Sequence, residues 1–210
     1  MFSSTLSKPA QESLAVLAKS RIFSRAFMAG GSALALYLGH RESVDFDFFI
    51  SGEFDANSVI RKLGKAGKYE STTLLEHSII GQFNGIKISL FNYPYQKIEK
   101  GELFLGVELA SLEDIAAMKL AAITGRGTKK DYIDLYFLSR EKFSFEKMFG
   151  YYDRKFIKLE ENAFTLVKSM QYFVEADETE MPRMFKKVVW KDIKRYMQGE
   201  ALRLSKQLDL

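Results

Sequence analysis

Val44-Asp45-Phe46-Asp47-Phe48-Phe49-Ile50 sets two carboxylates inside an otherwise apolar run. Carboxylates are depleted in strands and costly to hold against a core, so the pair needs a physical reason. Alternation along a strand puts Val44, Phe46, Phe48 and Ile50 on one face and Asp45, Asp47 and Phe49 on the other. Same-facing carboxylates about 7 Å apart at Cα can converge on one or two divalent cations, which take oxygen ligands of this kind. A cation removes their mutual repulsion and gives the pair a role.

Upstream, Gly30-Gly31-Ser32 follows a short apolar strand and precedes residues 33–38, which are so apolar that their helix must be buried. Backbone N–H groups at such a helix start bind anions, and glycine lets a phosphate approach closely. Read structurally instead, Ser32 caps the helix and the glycines only turn the chain. The sequence has no Gly-x-Gly-x-x-Gly motif and no P-loop lysine, which disfavours the familiar nucleotide folds. Gly-Gly-Ser gains weight from its place one helix before Asp45 and Asp47.

Downstream, Lys119 is the one charge between Ile115 and Thr124 and lies in line with Ile115 and Ile123. Such a lysine pairs with a carboxylate, reaches a phosphate, or packs its stem and snorkels to water. Gly125-Arg126-Gly127-Thr128-Lys129-Lys130 then leads into a helix on which Asp131 and Asp134 share a face. Ser111 with Asp114 and Thr128 with Asp131 read as capping boxes. Asp134 has apolar neighbours on both sides and needs a partner, Lys119 or Arg126, or a proton to take. The basic turn is either a phosphate contact or a solvated loop.

The chain is long and apolar enough, at 210 residues and 47% hydrophobic, for one large domain or two small ones. It has no apolar run of membrane-spanning length and no signal-peptide pattern at its start, so a cytoplasmic protein is expected. Without cysteine, and with two histidines, thiolate, disulfide and histidine-rich metal chemistry are excluded. Periodicity predicts a helix over 9–19 and strands at 26–29, 44–50, 68–75, 78–83, 86–91 and 104–109, with Asn84-Gly85 as a hairpin turn. Helices follow at 112–124, 129–140, 144–152, 159–173 and 183–204, the last begun by Pro182 after an acidic, turn-like stretch. A sheet-bearing domain, 1–110, therefore precedes a helical one, 111–210, and the fold class is α+β. Residues 183–206 hold eight basic and two acidic side chains, whereas the first 182 residues are nearly neutral. With Phe185, Trp190 and Tyr196 this segment reads as an RNA contact or, from its helical spacing, as an amphipathic helix with a solvated basic face.

Four motifs together resemble the AbiEii/AbiGii toxin group of the nucleotidyltransferase superfamily. They are Met28-Ala-Gly-Gly-Ser-Ala-Leu-Ala-Leu36, His40-Arg-Glu-Ser-Val-Asp-Phe-Asp-Phe-Phe49, Ser111-Leu-Glu-Asp-Ile-Ala-Ala-Met-Lys119 and Lys130-Asp-Tyr-Ile-Asp-Leu-Tyr-Phe-Leu138. The resemblance implies a polymerase-β-like domain, with a mixed sheet flanked by helices, and a helical C-terminal domain. It implies Mg²⁺ on Asp45 and Asp47, and NTP contacts from Gly30, Gly31, Ser32, Arg41, Ser43 and Lys119. It further implies a catalytic set of Asp45, Asp47, Lys119, Asp131 and Asp134, in which Lys119 meets the triphosphate and Asp131 or Asp134 is an anchor or base. The expected activity is toxin-like transfer of NMP to RNA, including tRNA, or to protein, and the expected partner is an antitoxin. One departure stands out: a later strand commonly supplies a third carboxylate, and residues 86–91 offer Ser89, which leaves Glu76 or Asp134 to replace it. The competing expectation is a catalytically impaired module of the same fold that binds nucleotide or a partner protein.

Overall fold

In the computed structural model, which describes residues 1–75, 78–157 and 163–209, Ser7 accepts a 3.3 Å hydrogen bond from the Ala10 N–H and starts helix α1 (Lys8–Ser20). Pro9 sits in its first turn, where no N–H is needed. Ala10, Ser13, Leu14 and Leu17 form its buried stripe at helical spacing. Strand β1 (Ala26–Ala29) follows, then α2 (Gly30–Leu38), β2 (Phe46–Ile50), α3 (Ala56–Ala66), β3 (Tyr69–Leu75), β4 (Ser78–Phe83) and β5 (Ile86–Asn92). A small hairpin of β6 (Leu103–Phe104) and β7 (Val107–Glu108) ends the first of two units, Met1–Ser111.

The five long strands form one sheet in the order β1-β2-β5-β4-β3. Only the β2–β5 pair is parallel, so the sheet is mixed. Its register fixes two faces. Met28, Phe46, Phe48, Ile88, Leu90, Ile79 and Phe83 are buried, and helices α1, α2 and α3 pack against these strands. The other face carries successive cross-strand rows, Ala29–Asp47–Ser89–Ile80 and Phe27–Phe49–Phe91–Ser78. The alternating burial of β2 is the signature of a strand with one face on the core. Asn84 and Gly85, with φ of 50° and 79°, make the predicted β4–β5 turn.

The second unit, Leu112–Leu210, contains α4 (Leu112–Gly125), α5 (Lys129–Glu141), α6 (Phe145–Lys155), α7 (Ala163–Ser169), α8 (Val174–Glu178) and α9 (Trp190–Gln207). Helix α4 packs against α5, α6 and α7, and α9 packs against α5 and α7. Asp114 and Lys155, both fully buried, join α4 to α6 through a 2.5 Å ion pair. Among the described residues no helix is long and apolar enough to cross a membrane.

Several expected boundaries move. Strand β2 begins at Phe46; Val44 is 49% exposed, because the β2–β5 ladder has no partner before Phe46 and Ile88. The strand expected at 104–109 is a hairpin, turned by Leu105 and Gly106 at φ of 49° and 85°. Helix α3 was not predicted, although Asp55 caps it by accepting from the Ser58 N–H at 3.2 Å. Pro182 starts no helix: α9 begins at Trp190 after an extended Val189, and Phe185 and Val189 are exposed. The acidic stretch expected as a turn holds the short α8. The start of the helix expected at 159–173 lies outside the described residues, and its described part divides into α7 and the segment leading to α8.

Candidate active site

The glycines of the first motif are the first turn of α2 rather than a loop before it. Gly30, at φ 72°, turns the chain out of β1 in a conformation that L side chains resist. A methyl group added there would sit 3.1 Å from Asp47 Oδ2. The helix start and the carboxylate of β2 are therefore neighbours, as the pairing of Ala29 with Asp47 requires. At Gly31 an added methyl group would lie 2.5 Å from Arg41 Nη2 and 3.3 Å from Ser43 Oγ. Arg41 is 2% exposed, and its Nη1 donates to the Glu42 carbonyl at 3.1 Å. Its guanidinium thus fills the space that the missing side chain leaves.

Ser32 is 1% exposed, and its hydroxyl works inside the protein. It donates to the Asp45 carbonyl and shares a 2.9 Å hydrogen bond with the Ser43 hydroxyl. The backbone of Ser43 is in turn held by Thr5, whose carbonyl accepts its N–H at 3.1 Å. These bonds, worth about 0.5–1.5 kcal/mol each, tie the approach to β2 onto the start of α2. Asp45, just before the strand, and Asp47, within it, keep partial exposure. Ser89 pairs with Asp47 across the parallel ladder and is 3% exposed, so the neighbouring strand gives this row a hydroxyl and no acid.

The predicted residues of the second unit gather in one cluster. Lys119 Nζ lies 2.8 Å from Asp131 Oδ1 and 2.6 Å from Asp134 Oδ2, and all three side chains are buried. Asp131 also closes the capping box, accepting from the Thr128 N–H at 3.2 Å and from its hydroxyl at 2.6 Å. Exposed Arg126 approaches it at 3.6 Å. Burial works against ionisation of Asp131, but the Lys119 charge and hydrogen bond, with Thr128, hold its carboxyl below the usual range. The cap expected of Asp131 and the carboxylate partner expected of Lys119 thus meet in one side chain. Glu76 lies outside the described residues.

Among the described residues no group of three or more acidic or histidine side chains is arranged to hold a metal. The first unit offers the Asp47 carboxylate beside the start of α2, and that of Asp45 two residues before it in the chain. That donor set fits Mg²⁺, which binds through one or two carboxylates and completes its shell with water and substrate phosphates.

A family model described as nucleotidyl transferase AbiEii toxin, type IV toxin–antitoxin system, matches residues 13–203. The chain belongs to that family. It is 35% identical over 178 residues to an uncharacterised protein of Aquifex aeolicus, a match spanning 82% of this chain and 85% of that one. Among solved structures, JHP933 of Helicobacter pylori aligns with a TM-score of 0.59 and 15% identity, over 97% of this chain and 95% of that one. The nucleotidyltransferase toxin MenT4 of Mycobacterium tuberculosis aligns with a TM-score of 0.52 and 13% identity, over 93% and 86%. At these identities the structural likeness establishes the fold. The α+β architecture is that of nucleotidyltransferases, and the family is one of nucleotidyltransferase toxins, as the four motifs implied.

The sequence set the two aspartates, the glycine turn and the lysine apart as unusual residues, and Lys119 is buried between two carboxylates. Sequence reasoning missed the row Phe27–Phe49–Phe91, which continues the face of Asp47. Alternation in residues 44–50 and 86–91 already put Phe49 with the aspartates and Phe91 with Ser89, but strand pairing was needed to join the two.

Proposed function

We propose that this chain is a Mg²⁺-dependent nucleotidyltransferase toxin that moves NMP from an NTP to a hydroxyl of RNA, tRNA included, or of protein. The observation that carries this reading is the place of Asp47 beside the start of α2, since it sets a cation-binding carboxylate next to an anion-binding turn. In this reading the backbone at Gly30 and Gly31 receives the triphosphate, with Arg41 and Ser43 supporting the turn from behind. Asp45 and Asp47 hold Mg²⁺, which when bound supplies charge neutralisation on the phosphates. The acceptor oxygen bonds to the α-phosphorus, the α–β phosphoanhydride bond breaks, pyrophosphate leaves, and the hydroxyl proton passes to a base or to water. Positioning and electrostatics carry most of such a transfer.

Lys119, Asp131 and Asp134 belong to this proposal as a charged cluster of the second unit, in which Lys119 is shared by the two carboxylates and the aspartates anchor it or take a proton. Family membership supports an antitoxin as protein partner, and the proposed dependence on NTPs and Mg²⁺ supports a cytoplasmic location. Ser89 favours a second reading, a module of the same fold that binds nucleotide or a partner protein without turnover. The deciding experiment offers each labelled NTP with Mg²⁺ to total cellular RNA and to protein. Label that disappears in Asp45→Ala/Asp47→Ala is the expected result and identifies base and acceptor class together. Mg²⁺-dependent NTP binding with no label above that control would replace the enzyme by the binding module.

A further inference from the structure

One row along the sheet from Asp47, on the same face, Phe27, Phe49 and Phe91 stand side by side on β1, β2 and β5. The Phe27 and Phe49 rings stack with centroids 5.9 Å apart, and Phe49 and Phe91 lie 5.5 Å apart. Tyr93 meets Phe49 edge-on at 5.1 Å, and Lys97 Nζ lies 5.8 Å from the Phe27 ring centroid. The helix-packed face already supplies the core of this unit, yet Phe49, Phe91 and Tyr93 are only partly buried. After Phe91 the row drops to Ser78 on β4 and then to Leu75 on β3, which is 60% exposed. A small residue thus lies between an aromatic ring and an exposed apolar side chain, two strand spacings or about 9–10 Å apart. A base stacked on Phe91 would lie over the small Ser78 side chain.

Position gives the row a direction as well as a composition. Gly30 follows Ala29 at the end of β1, Asp47 pairs with Ala29, and Phe49 pairs with Phe27. Along the strands the order is therefore phosphate turn, carboxylate, aromatic row. In phosphoryl-type transfer the attacking and leaving oxygens are roughly in line. With pyrophosphate leaving on the side of the α2 start, the acceptor arrives from the opposite side, over the aromatic row.

We infer that Phe91, with Phe49 and the gap over Ser78, is a stacking subsite for the terminal base of a single-stranded RNA acceptor. The inference rests on the nucleotidyltransferase reading for its orientation, and it narrows the acceptor from any hydroxyl to one carrying a nucleobase. Base–aromatic stacking tolerates every base, so the subsite positions the acceptor end without selecting its sequence. Exposed Lys87, on the same strand face as Ser89, complements its phosphates, whereas Lys97 is paired with Glu108.

The test uses the full chain and a single-stranded RNA oligonucleotide ending in 2-aminopurine, whose fluorescence falls on stacking. In the Asp45→Ala/Asp47→Ala background, where transfer is not required, binding should quench the probe, and Phe91→Leu should remove the quench and weaken binding roughly 5- to 150-fold. Phe91→Trp should restore both, whereas Phe91→Leu keeps the apolar volume and controls for folding. In otherwise wild-type protein, Phe91→Leu should raise the acceptor KM by a similar factor and leave the NTP KM unchanged. Absence of any quench, a quench that survives Phe91→Leu, or a rise in the NTP KM instead of the acceptor KM would overturn the subsite. Failure of the nucleotidyltransferase reading shows separately, as absence of label transfer in the wild type.

Discussion

At Gly31 a single methyl group decides whether Arg41 keeps its place. The clash would be with the end of a side chain, which ordinarily swings aside, but Arg41 is 2% exposed and has little room to do so. Gly31→Ala should therefore cost about 1–3 kcal/mol and weaken NTP binding. Gly30→Ala adds a left-handed penalty of about 1–2 kcal/mol and presses on Asp47 itself. Urea titration and NTP-binding isotherms on both variants check this; wild-type values for both quantities would contradict the tight turn. The sequence marked these glycines as a turn with an anion-binding backbone. What it did not reveal is that the space beside Gly31 is taken by a buried arginine ten residues later. Likewise the hydroxyl of Ser32 is spent on the Asp45 carbonyl and Ser43, neither a simple cap nor a surface group.

At the scale of elements, α9 is fastened at its start by Asp177 of α8, which accepts from Trp190 Nε1 at 2.5 Å and from Lys194 at 3.0 Å. The Trp190 hydrogen bond first, and Lys194 next, hold the Asp177 carboxyl below its ordinary value. A depressed folded value means that the tie is at full strength above the unfolded value of about 3.9 and is lost as pH falls through the folded one. Trp190, the single tryptophan of the chain, reports on it. Its emission should shift to the red below about pH 4, and in Asp177→Ala that acid step should be missing, with red-shifted emission already at neutral pH. Identical acid profiles in the two proteins would remove Asp177 as the fastener. The hydrophobic stripe Ile193, Met197, Ala201 and Leu204 made the body of α9 readable in sequence. Its start was misplaced because Phe185, Val188 and Val189 fit the same period while the chain there is extended up to Val189. Helix α3 escaped notice although Asp55 caps it and Val59, Ile60 and Leu63 recur at helical spacing; of these Leu63 alone is fully buried.

Over the whole molecule, the nearly neutral first 182 residues and the basic segment that follows were plain from composition, but charge alone overstated what that segment offers. Lys186, Lys194, Arg195 and Arg203 are paired with carboxylates, and Trp190 and Tyr196 contact aromatic rings of their own unit. Ligand binding should be the larger global effect. An NTP with Mg²⁺ at about 100 times its Kd adds about 2.7 kcal/mol by mass action, which for a chain of this size raises Tm by about 5–10 °C. Differential scanning fluorimetry should show that shift in the wild type and none in Asp45→Ala/Asp47→Ala; an equal shift in both would detach nucleotide binding from the two aspartates. The sequence by itself determined the fold class, the family motifs and the identity of the unusual charges, because periodicity and the cost of burying a carboxylate are local properties. Only the tertiary structure decided that Gly30 lies beside Asp47, that Lys119 is divided between Asp131 and Asp134, and that three phenylalanines form the next row on the face of the carboxylate. Each of these is a juxtaposition of residues far apart in the chain, set by strand register and helix packing, which no local pattern encodes.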